Sequence, residues 1–307
     1  MNILAADVGG TKTLIGVYSE HFQELAKRSY LSKDYRSLYE LVKDFLSHFG
    51  KAVDVAVFGV PGPVVDGRCR TTNLPWKVDS QALAKIVRAE VALLNDFELA
   101  GWGLDLVKKG SLIPLTSYVP EERGTKVLIG AGTGLGEAIV YWDCEEGYFV
   151  LPSEGGHTDF APKNEVEFKL ANFIAKSEGF VEWESVLSGP GLSRIYKFFS
   201  GKKLPPEKIT AAYKHDSAAR KAVQLFLSFY AREAANLALT AKATGGVYLV
   251  GTMINSLVDV LNKKDFIRAF VGKRKVSALL SKIPIFIVTD QELGLKGAVS
   301  FAKKLEH

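Results

Sequence analysis

The chain has 307 residues, 47% of them hydrophobic, and a net charge of +5 from 39 basic and 34 acidic side chains. That much apolar material builds a large core and excludes global disorder, and the length suits one large domain or two of ordinary size. The mild positive excess is densest at residues 263–275 and has no interleaved aromatic stripe, which argues against a nucleic-acid partner. Cys69 and Cys144 stand far apart and match no metal spacing, as expected in a reducing compartment. No basic leader and no apolar run of membrane-spanning length is present, so a cytoplasmic protein without a membrane partner is expected. The ending Leu305, Glu306, His307 reads as the remnant of an expression tag and is set aside.

Residues 2–7 (NILAAD) and 13–18 (TLIGVY) form two short apolar runs separated by VGGTK, a pattern that predicts a hairpin with adjacent glycines at its tip. Gly9 and Gly10 let the backbone approach a ligand closely, while Thr11 and Lys12 add a hydroxyl and an ammonium. Such a tip can cradle a phosphate or can be an ordinary turn. It is not the P-loop, whose Lys is followed by Ser or Thr at the start of a helix. Over 34–49 the apolar residues Leu38, Leu41, Val42, Phe45, Leu46 and Phe49 share one helical face, with Gly50 as a stop. A buried strand is predicted at 53–57, ending in an irregular turn at Pro61, Gly62 and Pro63. In the next loop Thr71, Thr72 and Asn73 expose hydrogen-bonding groups, and Trp76 is either an anchor for the loop or a platform for a sugar ring. Asp79 caps a short helix carrying Leu83, Ile86 and Val87.

Residues 91–101 (VALLNDFELAG) read as a strand, a polar tip and a helix beginning at Phe97. Ligands of open α/β sheets bind at the C-terminal edge of the strands, so Asp96 is a candidate base for a polyol and Asn95 its positioning partner. The alternative is that Asp96 simply caps the helix. Periodicity then breaks over 108–124, which suggests a small α/β domain of residues 1–107 plus 290–307 and a large one of residues 108–289. Residues 126–142 (KVLIGAGTGLGEAIVYW) repeat the opening design, with Thr133 falling on Thr11 and Gly132 on Gly10. Two glycine hairpins can clamp one polyphosphate, Gly132, Thr133 and Gly134 from one side, with Asp7 serving a magnesium ion through water.

Residues 151–162 place Glu154, His157 and Asp159 around Gly155 and Gly156, a polar recognition loop with no metal-ligand spacing. Helices are predicted at 165–177 and 192–199. Between them Glu184 precedes a turn at 189–191, and on its own it reads as a solvated surface residue. Residues 211–243 have room for two helices, 245–255 read as a strand, a turn at Gly251 and a helix on the nucleotide side, 283–288 as a last strand, and 293–305 as a helix crossing back to the first domain.

Assembled, these segments resemble the bacterial glucokinase family, within the sugar kinase, heat-shock protein and actin superfamily, over nearly the whole chain. DVGGTKT resembles the family's first phosphate motif, GAGTGLG its second, LLNDF its catalytic segment, and SEGGHTDFAP and ESVLSGPG its sugar-binding segments. The resemblance implies a two-domain actin-like ATPase (ribonuclease H-like) fold with a duplicated phosphate-binding β-hairpin and a cleft between domains. It implies transfer of phosphate from ATP, with magnesium, to the 6-hydroxyl of D-glucose, Asp96 acting as the base. Asn95, Glu154, His157 and Glu184 would hold the sugar's other hydroxyls. The chain departs from the family where Gly251 is followed by Thr252, Met253 and Ile254 rather than a second glycine. It also lacks the cysteine-rich zinc motif of the related repressor and kinase family, and no helix-turn-helix precedes Asn2. Rival readings are a kinase for another hexose, mannose or an N-acetylated amino sugar, and a non-catalytic sugar-binding regulatory protein of the same fold. Oligomeric state is left open, a homodimer being compatible.

Overall fold

The computed structural model of the chain describes residues 1–72 and 74–305. Asn73, one of the hydrogen-bonding groups expected in its loop, and Glu306 and His307 of the terminal tripeptide lie outside the described residues. In chain order the elements are β1 (Asn2–Val8), β2 (Lys12–Ser19), β3 (Glu24–Leu31), α1 (Leu38–Phe49), β4 (Val55–Val60), β5 (Val64–Val65), β6 (Arg68–Arg70), β7 (Lys77–Asp79), α2 (Ser80–Val87), β8 (Glu90–Asn95) and α3 (Asp96–Gly103). There follow β9 (Leu112–Pro114), β10 (Lys126–Ala131), β11 (Leu135–Asp143), β12 (Gly147–Ser153), α4 (Glu165–Glu178), α5 (Trp183–Val186), α6 (Gly189–Ser200), α7 (Pro206–Ala212) and α8 (Ser217–Ala241). The chain ends with β13 (Gly246–Leu249), α9 (Thr252–Leu257), α10 (Lys263–Val271), α11 (Ser277–Leu280), β14 (Ile285–Val288) and α12 (Leu293–Leu305). No helix among the described residues is long and apolar enough to cross a membrane.

Two compact units divide the chain, Met1–Lys108 with Asp290–His307 and Lys109–Thr289. The first unit holds a sheet in the order β3-β2-β1-β4-β8, the second a sheet in the order β12-β11-β10-β13-β14-β9. Each begins as an antiparallel three-strand meander whose first strand then pairs in parallel with a later one, β1 with β4 and β10 with β13. The duplication visible as repeated glycine tips therefore extends to whole sheets, with β9 an additional antiparallel edge.

In the first unit β1 and β4 are buried almost throughout, because α1 covers one face of the sheet and α3 and α12 the other. Ser37 caps α1, and Gly50 ends it in the left-handed conformation at φ +69°. Trp76 is buried in this core, the loop-anchoring outcome of its two expected roles. The crossing of α3 and α12 is close enough that a Cβ at Gly297 would overlap the carbonyl of Leu99, and one at Gly103 the carbonyl of Leu293. A Cβ at Gly59 of β4 would likewise press on the Leu99 side chain at 2.5 Å. Backbone-to-backbone contact thus fixes α3, and with it the strand-to-helix corner at Asn95 and Asp96.

In the second unit α8 runs as a single helix of 25 residues, where the composition left room for two, and its apolar face covers the sheet. From it the buried Tyr230 hydroxyl accepts the Ala131 N–H (3.2 Å) and donates to the Ile129 carbonyl (3.1 Å), tying the helix to the end of β10. The residues 189–191 expected as a turn instead open α6. Ser188 is the cap, accepting the Gly191 N–H at 3.0 Å, and Pro190 is tolerated because the first helical turn needs no donor from it. The irregular segment expected after Val60 contains the small sheet β5-β6-β7, and β3, β9 and β12 are further strands absent from the sequence reading.

Candidate active site

The corner between β8 and α3 carries Asn95 and Asp96. Asn95 has extended backbone (φ −65°, ψ 148°), and its side-chain oxygen accepts the N–H groups of Phe97 (2.9 Å) and Glu98 (3.3 Å). Its amide group donates to the Gly62 carbonyl at 3.3 Å. Asn95, not Asp96, is therefore the cap, and the capping alternative for Asp96 is corrected: the cap must be the last extended residue, and Asp96 is already helical. Asp96 is the first residue of α3, with its carboxylate accepting the Phe97 N–H at 3.0 Å. Nearby, burial and the charge of Asp96 push the Cys69 thiol up to about 11, so this buried cysteine stays protonated and unreactive.

The first glycine tip joins β1 to β2. Gly9 donates to the Lys12 carbonyl at 3.0 Å, and a Cβ on Gly9 would stand 2.7 Å from that oxygen. The buried Ser32 braces the tip from below. Its hydroxyl donates to the Gly9 carbonyl (2.7 Å), and its N–H reaches the Thr11 carbonyl (3.0 Å). Thr11 and Lys12 are exposed, and Gly10 is half-buried between them and the strand. Asp7 lies near the end of β1, tight against the start of α12, where a Cβ on Gly294 would stand 2.6 Å from its carboxylate. Burial raises its pKa to about 6. No cation among the described residues pairs with it, so this carboxylate has the environment that a divalent ion would complete. In sheet order β1 and β8 flank β4, and both the Asp7 and the Asn95–Asp96 positions lie at the C-terminal edge of parallel strands.

The second tip joins β10 to β11 and is braced differently. The Gly132 N–H bonds the Gly134 carbonyl at 2.8 Å, leaving Thr133 exposed. The Gly132 carbonyl accepts the N–H of Gly189, the first residue of α6, at 2.7 Å. Glu184 accepts the Leu135 N–H at 2.8 Å, and a Cβ on Gly134 would stand 2.5 Å from the same carboxylate oxygen. Gly251 (φ +95°) turns the chain from β13 into α9 beside the end of β10, and a Cβ there would be 3.4 Å from the Ala131 carbonyl. Within this unit Gly132, Thr133, Gly134, Gly251 and Glu184 thus form one contiguous group.

Gly155–His157 is one turn of 3-10 helix following β12. It locks onto the second tip, since a Cβ at Gly156 would overlap the Leu135 carbonyl. His157 bonds Glu182 through Nδ1 at 3.0 Å, and its Nε2 lies 3.9 Å from Glu154. Partial burial opposes charge on the ring, but the Glu182 bond and the carboxylates of Glu184, Glu182 and Glu154 outweigh it and raise the imidazole pKa above its ordinary value. Glu182 was missed from sequence because it lies 25 residues from His157; an isolated bridge between Asp159 and Glu182 brings the two segments together. Donor atoms of His157, Glu182 and Glu184 all lie within 4.8 Å of one another, although the sequence spacing offered no such group. Each already has a protein partner, His157 with Glu182 and Glu184 with Leu135.

The family model for glucokinase matches residues 4–305. The glucokinase of Nostoc sp. (strain PCC 7120) is 32% identical over an alignment 340 positions long, covering 99% of this chain and 99% of that protein. Among solved structures, a glucokinase from an Antarctic psychrotroph superposes with a TM-score of 0.85 at 24% identity, covering 99% of each chain. The glucokinase of Balamuthia mandrillaris in complex with glucose gives 0.85 at 22% identity, covering 98% of this chain and 93% of that one. These last two likenesses carry the fold, a two-domain α/β sugar kinase architecture. The match along the full sequence carries the family, and the chain belongs to the glucokinase family of kinases.

Proposed function

We propose that this protein transfers the γ-phosphoryl group of ATP to the 6-hydroxyl of D-glucose, giving glucose 6-phosphate and ADP, with Asp96 as general base. The observation that carries the reading is the division at the β8–α3 corner: Asn95 takes over the capping of α3, so Asp96 is not needed for it. Phosphoryl transfer passes through a loose transition state in which a protein chiefly positions groups and stabilises charge. The amides of the two glycine tips, the Lys12 ammonium and the hydroxyls of Thr11 and Thr133 are suited to hold the ATP phosphates, and Gly251 leaves room for the nucleoside side. Asp7 fits a magnesium ion held through water, which when bound neutralises phosphate charge. Asp96 accepts the proton of the 6-hydroxyl as its oxygen bonds to phosphorus.

Asn95, Glu154, His157 and Glu184 hold the remaining hydroxyls. Glutamates accept from sugar hydroxyls, and the His157 ring, whose charged form its carboxylate neighbours favour, donates. A sugar lacking or inverting a hydroxyl leaves one of these groups unpaired, which is the basis of selectivity. ADP release measured over a panel of glucose, mannose and N-acetylated amino sugars tests the reading. Glucose preferred by kcat/KM supports it, a preferred rival hexose replaces the substrate, and sugar binding without ADP release contradicts catalysis.

A further inference from the structure

Glu137 has no part in the chemistry above, yet it is the acidic residue most deeply enclosed beside the sugar-binding segment. It lies on β11, paired with Ser153 of β12, and is 2% exposed. Its Oε1 has no hydrogen-bond partner, and its Oε2 occupies the space that a Cβ on Gly155 would need. A glycine at 155 is required here by contact rather than by dihedral angle, because its φ is not positive. We propose that Glu137 is a positioning residue for the turn carrying Glu154 and His157: its carboxyl is wedged beneath the Gly155 α-carbon and sets the height of the turn. The inference rests on the reading of that turn as sugar-binding.

The wedge contains a proton. Burial, then the charge of Glu233 on α8, raises the Glu137 pKa to about 8. Glu233 is itself 4% exposed and raised to about 7 by burial, against the opposing pull of its Asn236 hydrogen bond, Lys273 and Arg232. Tyr230 is the other titratable group of α8 that feels Glu137, and its hydroxyl is engaged with the strand ends. Arg232 cannot neutralise Glu137, being committed to Glu167 at 2.7 Å and to the Ala161 carbonyl at 2.7 Å. Glu154, His157 and Glu184 stand around the turn and its junction with Leu135, and none hydrogen-bonds Glu137. The carboxyl is therefore neutral at pH 7, and its ionisation puts an unpaired charge directly under the turn.

The test combines a pH series with a mutant cycle, every variant first checked for folding by thermal melting. The wild-type sugar KM should rise about tenfold between pH 7 and pH 9 while the ATP KM holds, and Glu137→Gln should remove most of that rise. The His157 pKa is also raised by its carboxylate neighbours, so the quantity read is the difference between wild type and Glu137→Gln. Gly155→Ala forces a methyl group into Glu137 and should raise the sugar KM about a hundredfold, and adding Glu137→Ala should recover about tenfold of it. Identical pH profiles for wild type and Glu137→Gln, or additive effects of Gly155→Ala and Glu137→Ala, overturn the inference. Glu154→Ala run in parallel separates the two layers. A sugar KM unchanged there overturns the sugar-binding reading and this inference with it, whereas a raised KM alongside an additive cycle overturns the role of Glu137 alone.

Discussion

The two glycine tips share a backbone design but differ in what holds them. The first is braced by its own unit's Ser32 and lies one residue past the end of a strand bearing the half-buried Asp7. With Thr133 set on Thr11, the position equivalent to Asp7 is Ile129, fully buried and apolar. The second tip has no carboxylate of its own, and is held instead by segments proposed to bind sugar: Glu184 on the Leu135 N–H, Gly189 on the Gly132 carbonyl, and Gly156 against the Leu135 carbonyl. A duplicated motif has thus been divided by its surroundings, one copy bearing the Asp7 carboxylate and the other packed on the segments of Gly156, Glu184 and Gly189.

The largest effect that would sharpen this contrast is expected at Asp7. Asp7→Asn should lower kcat about 10²- to 10³-fold while leaving the sugar dissociation constant near the wild-type value, read by steady-state kinetics and sugar titration. A loss of sugar affinity of the same size would contradict the assignment of charge to the first tip alone. Next comes Glu184→Ala, expected to raise the sugar KM about a hundredfold by removing a sugar ligand, and the ATP KM severalfold because the Leu135 N–H loses its acceptor. An unaltered ATP KM would remove the coupling between tip and sugar segment.

A paired glycine experiment is subtler. Gly9→Ala would set a Cβ 2.7 Å from the Lys12 carbonyl, and should raise the ATP KM about tenfold without touching the sugar KM. Gly134→Ala would press on Glu184 and should raise both. Equal responses in the two variants would show that the tips are equivalent after all. The smallest effect concerns stability. The raised pKa of Glu137 means that between about 4.5 and about 8 the folded state holds a proton that the unfolded state has released, so stability falls as pH rises across that window and is level above it. Glu137→Gln should flatten that slope and raise Tm at pH 8 by roughly 2–6 °C in calorimetry.

Both tips could be read from the sequence because glycines between short apolar runs form a local pattern, and so could α1, α2 and the strand-to-helix change at the β8–α3 corner, where apolar runs and helical periodicity mark the elements. The assignment of the cap was not legible: Asn95 and Asp96 are both good capping residues, and only backbone angles distinguish them. Glu182 and Glu137 were silent for a different reason. Their roles depend on partners brought close by sheet register and an isolated bridge, and a lone glutamate in an apolar strand carries no local sign that its carboxyl lies under a glycine. The opening of α6 at Gly189 was hidden because a Gly-Pro-Gly sequence suggests a turn more strongly than the preceding serine suggests a cap.

Whether Asp96 reacts while Asn95 holds the corner in place is decided by Asp96→Asn, assayed for ADP formation from ATP and glucose and for glucose binding by calorimetry in the same preparation. Asparagine preserves size and the hydrogen bond to the Phe97 N–H while removing the base. With Asp96 as the base, kcat falls about 10³-fold or more while glucose binding is retained within about tenfold; kcat within about tenfold of wild type would show that Asp96 is not the base.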